Sequence, residues 1–195
     1  MWVRIPPPAQ MNKLIIGLVG EKGSGKQTFV NFLKELRGDL KIRQVRFSDI
    51  LAQTLLLWDI PITRPNLQKL SLVMKDGFGA DSLAKAAKFL SEDDNSNLII
   101  FDGIRRKTES DLVKKMKNNL IIYITAQKDL RFSRLKKRSE KVGEVGLTYE
   151  QFMKEEKSKA EVDISSLGKK ADLKLENNGS LEEFKSKIMK LQESL

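Results

Sequence analysis

Residues 20–28 read Gly-Glu-Lys-Gly-Ser-Gly-Lys-Gln-Thr, between the apolar run Leu14-Ile15-Ile16-Gly17-Leu18-Val19 and Phe29, Phe32, Leu33 and Leu36 at helical spacing. Strand, glycine-rich loop, lysine and helix in that order are the layout of a phosphate-binding P-loop. Gly20, Gly23 and Gly25 let consecutive N–H groups turn inward around an anion. A helix starting near Lys26 adds unpaired N–H groups and the positive end of its dipole, and Lys26 brings an ammonium to the β- and γ-phosphates. The expected nucleotide contacts are Gly20, Gly23, Ser24, Gly25, Lys26, Gln27 and Thr28. One departure matters: Gln27 stands where Ser or Thr commonly follows the lysine. Thr28 is then the candidate hydroxyl for a phosphate, or for Mg²⁺ partly through water.

Apolar strand patterns at 13–19, 41–47, 97–101, 119–125 and 171–176 alternate with helical patterns. That alternation predicts an α/β fold, a parallel sheet covered on both faces, with ligands at the carboxyl ends of its strands. Leu98-Ile99-Ile100-Phe101 and Leu120-Ile121-Ile122-Tyr123-Ile124 have the continuous apolar character of central strands. Two long helical excursions, at 49–91 and 131–166, exceed what a minimal sheet needs and read as movable pieces around a substrate. The second is broken by Gly143 and Gly146.

The carboxyl edge would carry a second group of chemical residues. Asp102 closes an apolar strand beside the P-loop, where a Walker B carboxylate organises Mg²⁺ or its waters. Arg105 or Arg106 can bind an acceptor phosphate bidentately; the alternative makes Asp102 a helix cap and the arginines surface. Arg131, Arg134 and Arg138 recur on one helix face, either closing over a triphosphate or forming an exposed basic stripe with Lys136 and Lys137. Asp49, after Ser48, either caps a helix or faces the transferred phosphoryl and takes the acceptor's proton. Arg64 is a further acceptor-phosphate candidate.

Composition narrows the chemistry. The 195 residues contain no Cys and no His, so disulfides, thiolates and imidazole bases are excluded and acid–base work falls to Asp, Glu, Lys or solvent. The formal charge of +10 suggests nucleic acid, but the 7% of aromatics form no stacking pattern among the basic residues, which argues against it. A polyphosphate ligand also explains clustered arginines. No apolar run approaches a membrane span, so a cytoplasmic chain is expected. Residues 1–10, with Pro6-Pro7-Pro8, read as an extended, non-native or disordered extension before a start at Met11. Val3-Arg4-Ile5-Pro6 can be encoded by GTT-CGA-ATC-CC, which resembles the T-loop of a transfer RNA gene.

Together these residues resemble the nucleoside monophosphate kinase and dephospho-coenzyme A kinase branch of P-loop kinases. Gly20–Thr28 is similar to the adenylate-kinase loop in its Gly-Lys-x-Thr ending. Asp102-Gly103-Ile104-Arg105-Arg106 is similar to that group's Asp-Gly-x-Pro-Arg, with Arg105 in place of proline. Gly79-Ala80-Asp81-Ser82-Leu83-Ala84 and Asn177-Asn178-Gly179-Ser180-Leu181-Glu182 resemble archaeal-type kinases near dephospho-coenzyme A kinase. The resemblance implies a three-layer P-loop kinase fold, with a five-stranded parallel sheet of order 2-3-1-4-5. It also implies one kinase domain over 11–195, an acceptor-binding insertion (49–91) and a lid (131–160). Its cofactors would be ATP and Mg²⁺, and its partner a small nucleotide-like acceptor. Lys26, Asp49, Arg106, Arg134 and Arg138 would be catalytic, with Asn177 and Gly179 near the adenine. The alternatives are a P-loop NTP-binding switch, a nucleic-acid-linked NTPase or a degenerate kinase acting as a binding module. Nothing in the sequence sets the acceptor or the oligomeric state.

Overall fold

In a computed structural model, residues 13–92, 94–137, 148–157 and 159–193 are described. The extension at 1–10, Met11, Arg138 and the glycines at 143 and 146 lie outside the described residues. The elements, in order, are β1 (Leu14–Val19), α1 (Lys26–Leu36), β2 (Ile42–Arg46), α2 (Phe47–Leu57), α3 (Arg64–Phe78), α4 (Ser82–Glu92) and β3 (Leu98–Ile104). They continue with α5 (Lys107–Lys114), β4 (Asn119–Thr125), α6 (Lys128–Lys137), α7 (Tyr149–Glu156), α8 (Lys159–Lys169), β5 (Leu173–Glu176) and α9 (Leu181–Gln192).

The strands form one parallel sheet in the order β2-β3-β1-β4-β5, as the resemblance implied. Apolar runs that look undivided in sequence separate by pleat. Ile15, Val19, Ile99, Phe101, Ile121 and Tyr123 pack against residues of α2, α3, α4, α5 and α8. Ile16, Leu18, Leu98, Ile100, Ile122 and Ile124 pack against Phe29, Val30 and Leu33 of α1 and Phe184 and Ile188 of α9. Alternation within each strand thus feeds both faces, giving three layers. A small separate cluster joins Leu135 of α6 to Phe152 of α7, with Phe132 and Tyr149 edge to face at 5.1 Å. Among the described residues no helix is long and apolar enough to cross a membrane.

Two boundaries differ from the sequence reading, for local reasons. Strand β3 runs three residues past Phe101, because Asp102 still pairs with Leu18 on β1 and Arg46 on β2. The register then slips, so that Val19 faces Ile104, and Gly103 carries the slip with φ +89°. Helix α2 begins at Phe47 with Arg46 as its cap residue, so Ser48 and Asp49 lie inside the first turn. Asp49 therefore faces the positive end of that helix without being its N-cap.

Candidate functional site

All five strands deliver their carboxyl ends to one edge. The P-loop leaves β1 there and enters α1 through Gly25, whose φ of +106° is a left-handed conformation that a side chain would strain. A Cβ at Gly25 would also overlap the Asn177 amide, so the glycine serves both the turn and a close approach. Lys26 folds back over the loop, donating from Nζ to the carbonyls of Gly20 (2.7 Å) and Glu21 (3.0 Å). Ser24 is fully buried, and its hydroxyl finds no hydrogen-bond partner among the described residues. Thr28 sits half-buried in the first turn of α1.

Asp102 is buried at the end of β3, next to the loop. Its Oδ2 accepts from Gln44 Nε2 at 2.8 Å and lies 3.7 Å from Arg46 Nε, while Oδ1 is buried without a partner. Gln27 accepts from both Arg46 and Gln44. Asp49 joins the group through Arg46, whose Nη1 is 3.8 Å from its Oδ2. Asp102 is not the cap of the following helix, because α5 starts only at Lys107.

Arg106 stands between Asp102 and α5 and donates from Nη2 to Ser71 of α3 at 2.8 Å. Its backbone, with that of Arg105, is held by a residue the sequence reading missed. Glu109 is buried and accepts both N–H groups at 2.7 and 3.1 Å. Burial pushes the Glu109 carboxyl up, partly offset by those two donors. Glu three residues into a helix is a capping signal, and that pattern alone could have revealed it.

The arginine stripe divides. Arg131 is buried, forked onto Glu156 at 2.9 and 2.6 Å, and donates to the carbonyls of Ala126 and Lys22. Burial works against its charge, but Glu156, helped by Glu21 and Tyr123, outweighs it and holds the guanidinium above its ordinary value. It ties α7 to the P-loop. Arg134 turns to Asn177, donating from Nη2 to Oδ1 at 3.3 Å, while its buried Nη1 lacks a partner among the described residues. Burial lowers its pKa. Asn177 in turn donates to the Ser24 carbonyl at 2.9 Å, bracing the loop from below. Gly179 precedes the α9 cap Ser180, and neighbouring Asn178 accepts the Gln127 N–H. Glu155 bridges Lys22 (2.8 Å) and Arg64 (2.7 Å), and Tyr123 donates to Glu21. Burial first, then Glu21, pushes the Tyr123 phenol up to about 12.

A family model described as AAA domain matches residues 16–162. The UPF0200 protein of Sulfurisphaera tokodaii is 30% identical over 177 residues, spanning 91% of this chain and 94% of that protein. The chain belongs to the AAA-domain family, among the UPF0200 proteins. The fold is also that of shikimate kinase from Bacteroides thetaiotaomicron (TM-score 0.62, 13% identity, covering 92% of this chain and 97% of that one). TT1252 from Thermus thermophilus superposes with a TM-score of 0.62 at 18% identity, covering 94% and 98%. These likenesses establish a P-loop kinase fold, the architecture of a nucleotide-binding domain.

In this UPF0200 member the donor atoms suit a polyphosphate. The loop N–H groups, the Ser24 hydroxyl, Lys26 and the partnerless Arg134 nitrogen are all cationic or hydrogen-bond donors at one strand edge. Mg²⁺ is the metal such a fold implies, and the acceptor atoms fit it. Asp102 Oδ1 is a buried oxygen without a hydrogen-bond partner, and half-buried Thr28 carries a hydroxyl in the first turn of α1. No cluster of three or more His, Cys, Asp or Glu exists among the described residues, so the remaining ligands would be phosphate oxygens and water.

Proposed function

We propose that this chain is an ATP- and Mg²⁺-dependent kinase acting on a small nucleotide-like acceptor, a nucleoside monophosphate or dephospho-coenzyme A. The observation that supports it best is the convergence of Lys26, the partnerless Asp102 oxygen and Arg134 around one P-loop. An acceptor oxygen forms the new bond to the γ-phosphorus as the bond to the β–γ bridging oxygen breaks, and ADP leaves. Lys26 and Arg134 supply positive charge to the phosphoryl oxygens, with Arg138, four residues further along the sequence, proposed as a third cation. Arg106 and Arg64 hold the acceptor, and Asp49 takes the proton where the acceptor oxygen is a hydroxyl. When bound, Mg²⁺ neutralises phosphate charge beside Asp102 and Thr28. Asn177 and Gly179 border the adenine side. In this reading α2–α4 form the acceptor insertion and residues 131–160, chiefly α6 and α7, the lid, within one domain over 11–195.

The test is a phosphotransfer screen with labelled ATP against all ribo- and deoxynucleoside monophosphates, dephospho-coenzyme A and shikimate. Transfer to one nucleotide-like acceptor supports the reading. ATP hydrolysis stimulated by RNA, without transfer to any acceptor, would replace it with a nucleic-acid-linked NTPase, the reading that the charge of +10 favours.

A further inference from the structure

The polar group at the head of α1 includes a cation that the donor loop does not use. Gln27 directs its amide oxygen to Arg46 Nη2 and to Gln44 Nε2 (3.1 Å), and its own nitrogen donates to Asn31 Oδ1 at 2.8 Å. An amide oxygen has two lone pairs, and both are engaged here. Gln27 is therefore an anchor in this arrangement, where a Ser or Thr would offer a free hydroxyl.

What it anchors is a guanidinium suspended between two carboxylates. Arg46 Nε lies 3.7 Å from Asp102 Oδ2, and Nη1 lies 3.8 Å from Asp49 Oδ2. Both distances are too long for full hydrogen bonds, so the ion pairs are loose. The side chain is 38% exposed at the carboxyl edge, one residue along the chain from a helix start. Asp102 thus has one oxygen beside a protein cation and the other buried without a hydrogen-bond partner. A metal at Oδ1 and a guanidinium at Oδ2 would repel each other across a single carboxylate.

The geometry points to Arg46 as a further phosphate-binding cation of the donor site, held by Gln27 and interchangeable with the metal at the nucleotide's phosphates. Without Mg²⁺, Arg46 leaves its loose pairs and forks onto the phosphate oxygens, an arrangement guanidinium matches well. With Mg²⁺ bound, the metal neutralises those oxygens and Arg46 stays on Gln27 and Asp49. The ligand class is the polyphosphate of a nucleoside triphosphate, and the inference rests on the nucleotide-site reading above.

The experiment measures equilibrium binding of ATP to the full chain at one fixed salt concentration, in EDTA and in excess Mg²⁺. Arg46→Met should weaken binding about 10-fold or more in EDTA and less than about 2-fold with Mg²⁺. Arg46→Lys should recover part of the EDTA affinity. Gln27→Thr, which removes the anchor and restores a hydroxyl, should widen the ratio between the two conditions. Thermal unfolding confirms that each variant folds; if Arg46→Met does not, the lysine and Gln27→Thr variants carry the test. Equal losses in both conditions, or no loss in EDTA, overturn the role of Arg46. A wild-type chain that binds ATP in neither buffer overturns the nucleotide site and this inference with it. ATP binding without phosphotransfer rejects only the kinase reading.

Discussion

The P-loop is held by side-chain donors on its own carbonyls, whereas the helices around it are joined by carboxylate ion pairs. Lys26 caps two loop carbonyls, and Asn177 braces a third. By contrast, α7 reaches the loop through Glu155 on Lys22, and reaches α6 through Glu156 on Arg131. Helix α3 is tied to α7 by Arg64 on the same Glu155. Hydrogen-bonded turns hold one geometry, while partly exposed ion pairs weaken with salt and reform easily. The ties of Glu155 to Lys22 and Arg64 are of the releasable kind, while the buried Arg131–Glu156 fork holds α6 and α7 together.

Four substitutions sharpen or break that contrast, taken from the largest expected effect down. Lys26→Ala should lower phosphoryl transfer by at least about 100-fold, with little change in melting temperature; undiminished turnover would reject the loop as the donor site. Glu156→Ala leaves Arg131 buried and unpaired, so urea unfolding should show a loss of about 3 kcal/mol. A loss well below about 1 kcal/mol would mean that charge does not hold α7. Asn177→Ala leaves the buried Ser24 carbonyl without its donor and should cost about 2 kcal/mol, together with weaker ATP binding in a titration. Unchanged ATP affinity would separate the brace from the nucleotide site.

The smallest effect concerns acid. Burial alone would raise the Asp94 carboxyl, but donation from Ser96 and Arg43 outweighs it and holds the group at about 2, below its ordinary 3.8. A depressed carboxyl stabilises the fold above its unfolded value, and that contribution disappears as pH falls through the folded one. Wild-type stability should therefore drop between about pH 4 and pH 2, and Asp94→Asn should flatten that part of the profile. Parallel profiles in acid unfolding would remove Asp94 from the account.

What was legible in the sequence follows from distance along the chain. The P-loop and the five strands are local patterns, and each appears in the structure within a few residues of its expected place. The end of β3 was misjudged because Asp102 and Gly103 look like a turn, while pairing to strands on both sides keeps Asp102 in the ladder. The stripe at Arg131 and Arg134 was read as one surface from helical spacing alone. Separating them needed Glu156, Asn177 and Lys22, residues that reach this edge from other elements. Glu155 and Arg46 were invisible for the same reason. A charged residue on a helix face or strand end looks solvated until its partner, often more than ten residues away, is placed beside it.

The bond from Asn177 to the Ser24 carbonyl spans 153 residues and has a consequence for synthesis. Strand β1 and the loop leave the ribosome early, yet their brace belongs to the last strand of the sheet and the turn that follows it. A nascent chain that has emerged only as far as α8 carries Gly25 and Lys26, but nothing to hold the Ser24 carbonyl or to orient Arg134. Its sheet also lacks the β5 edge that fixes the Asn177 backbone to Thr125. The loop is made well before its brace, so a nascent chain that stops short of Asn177 should hold nucleotide less well than one that includes it.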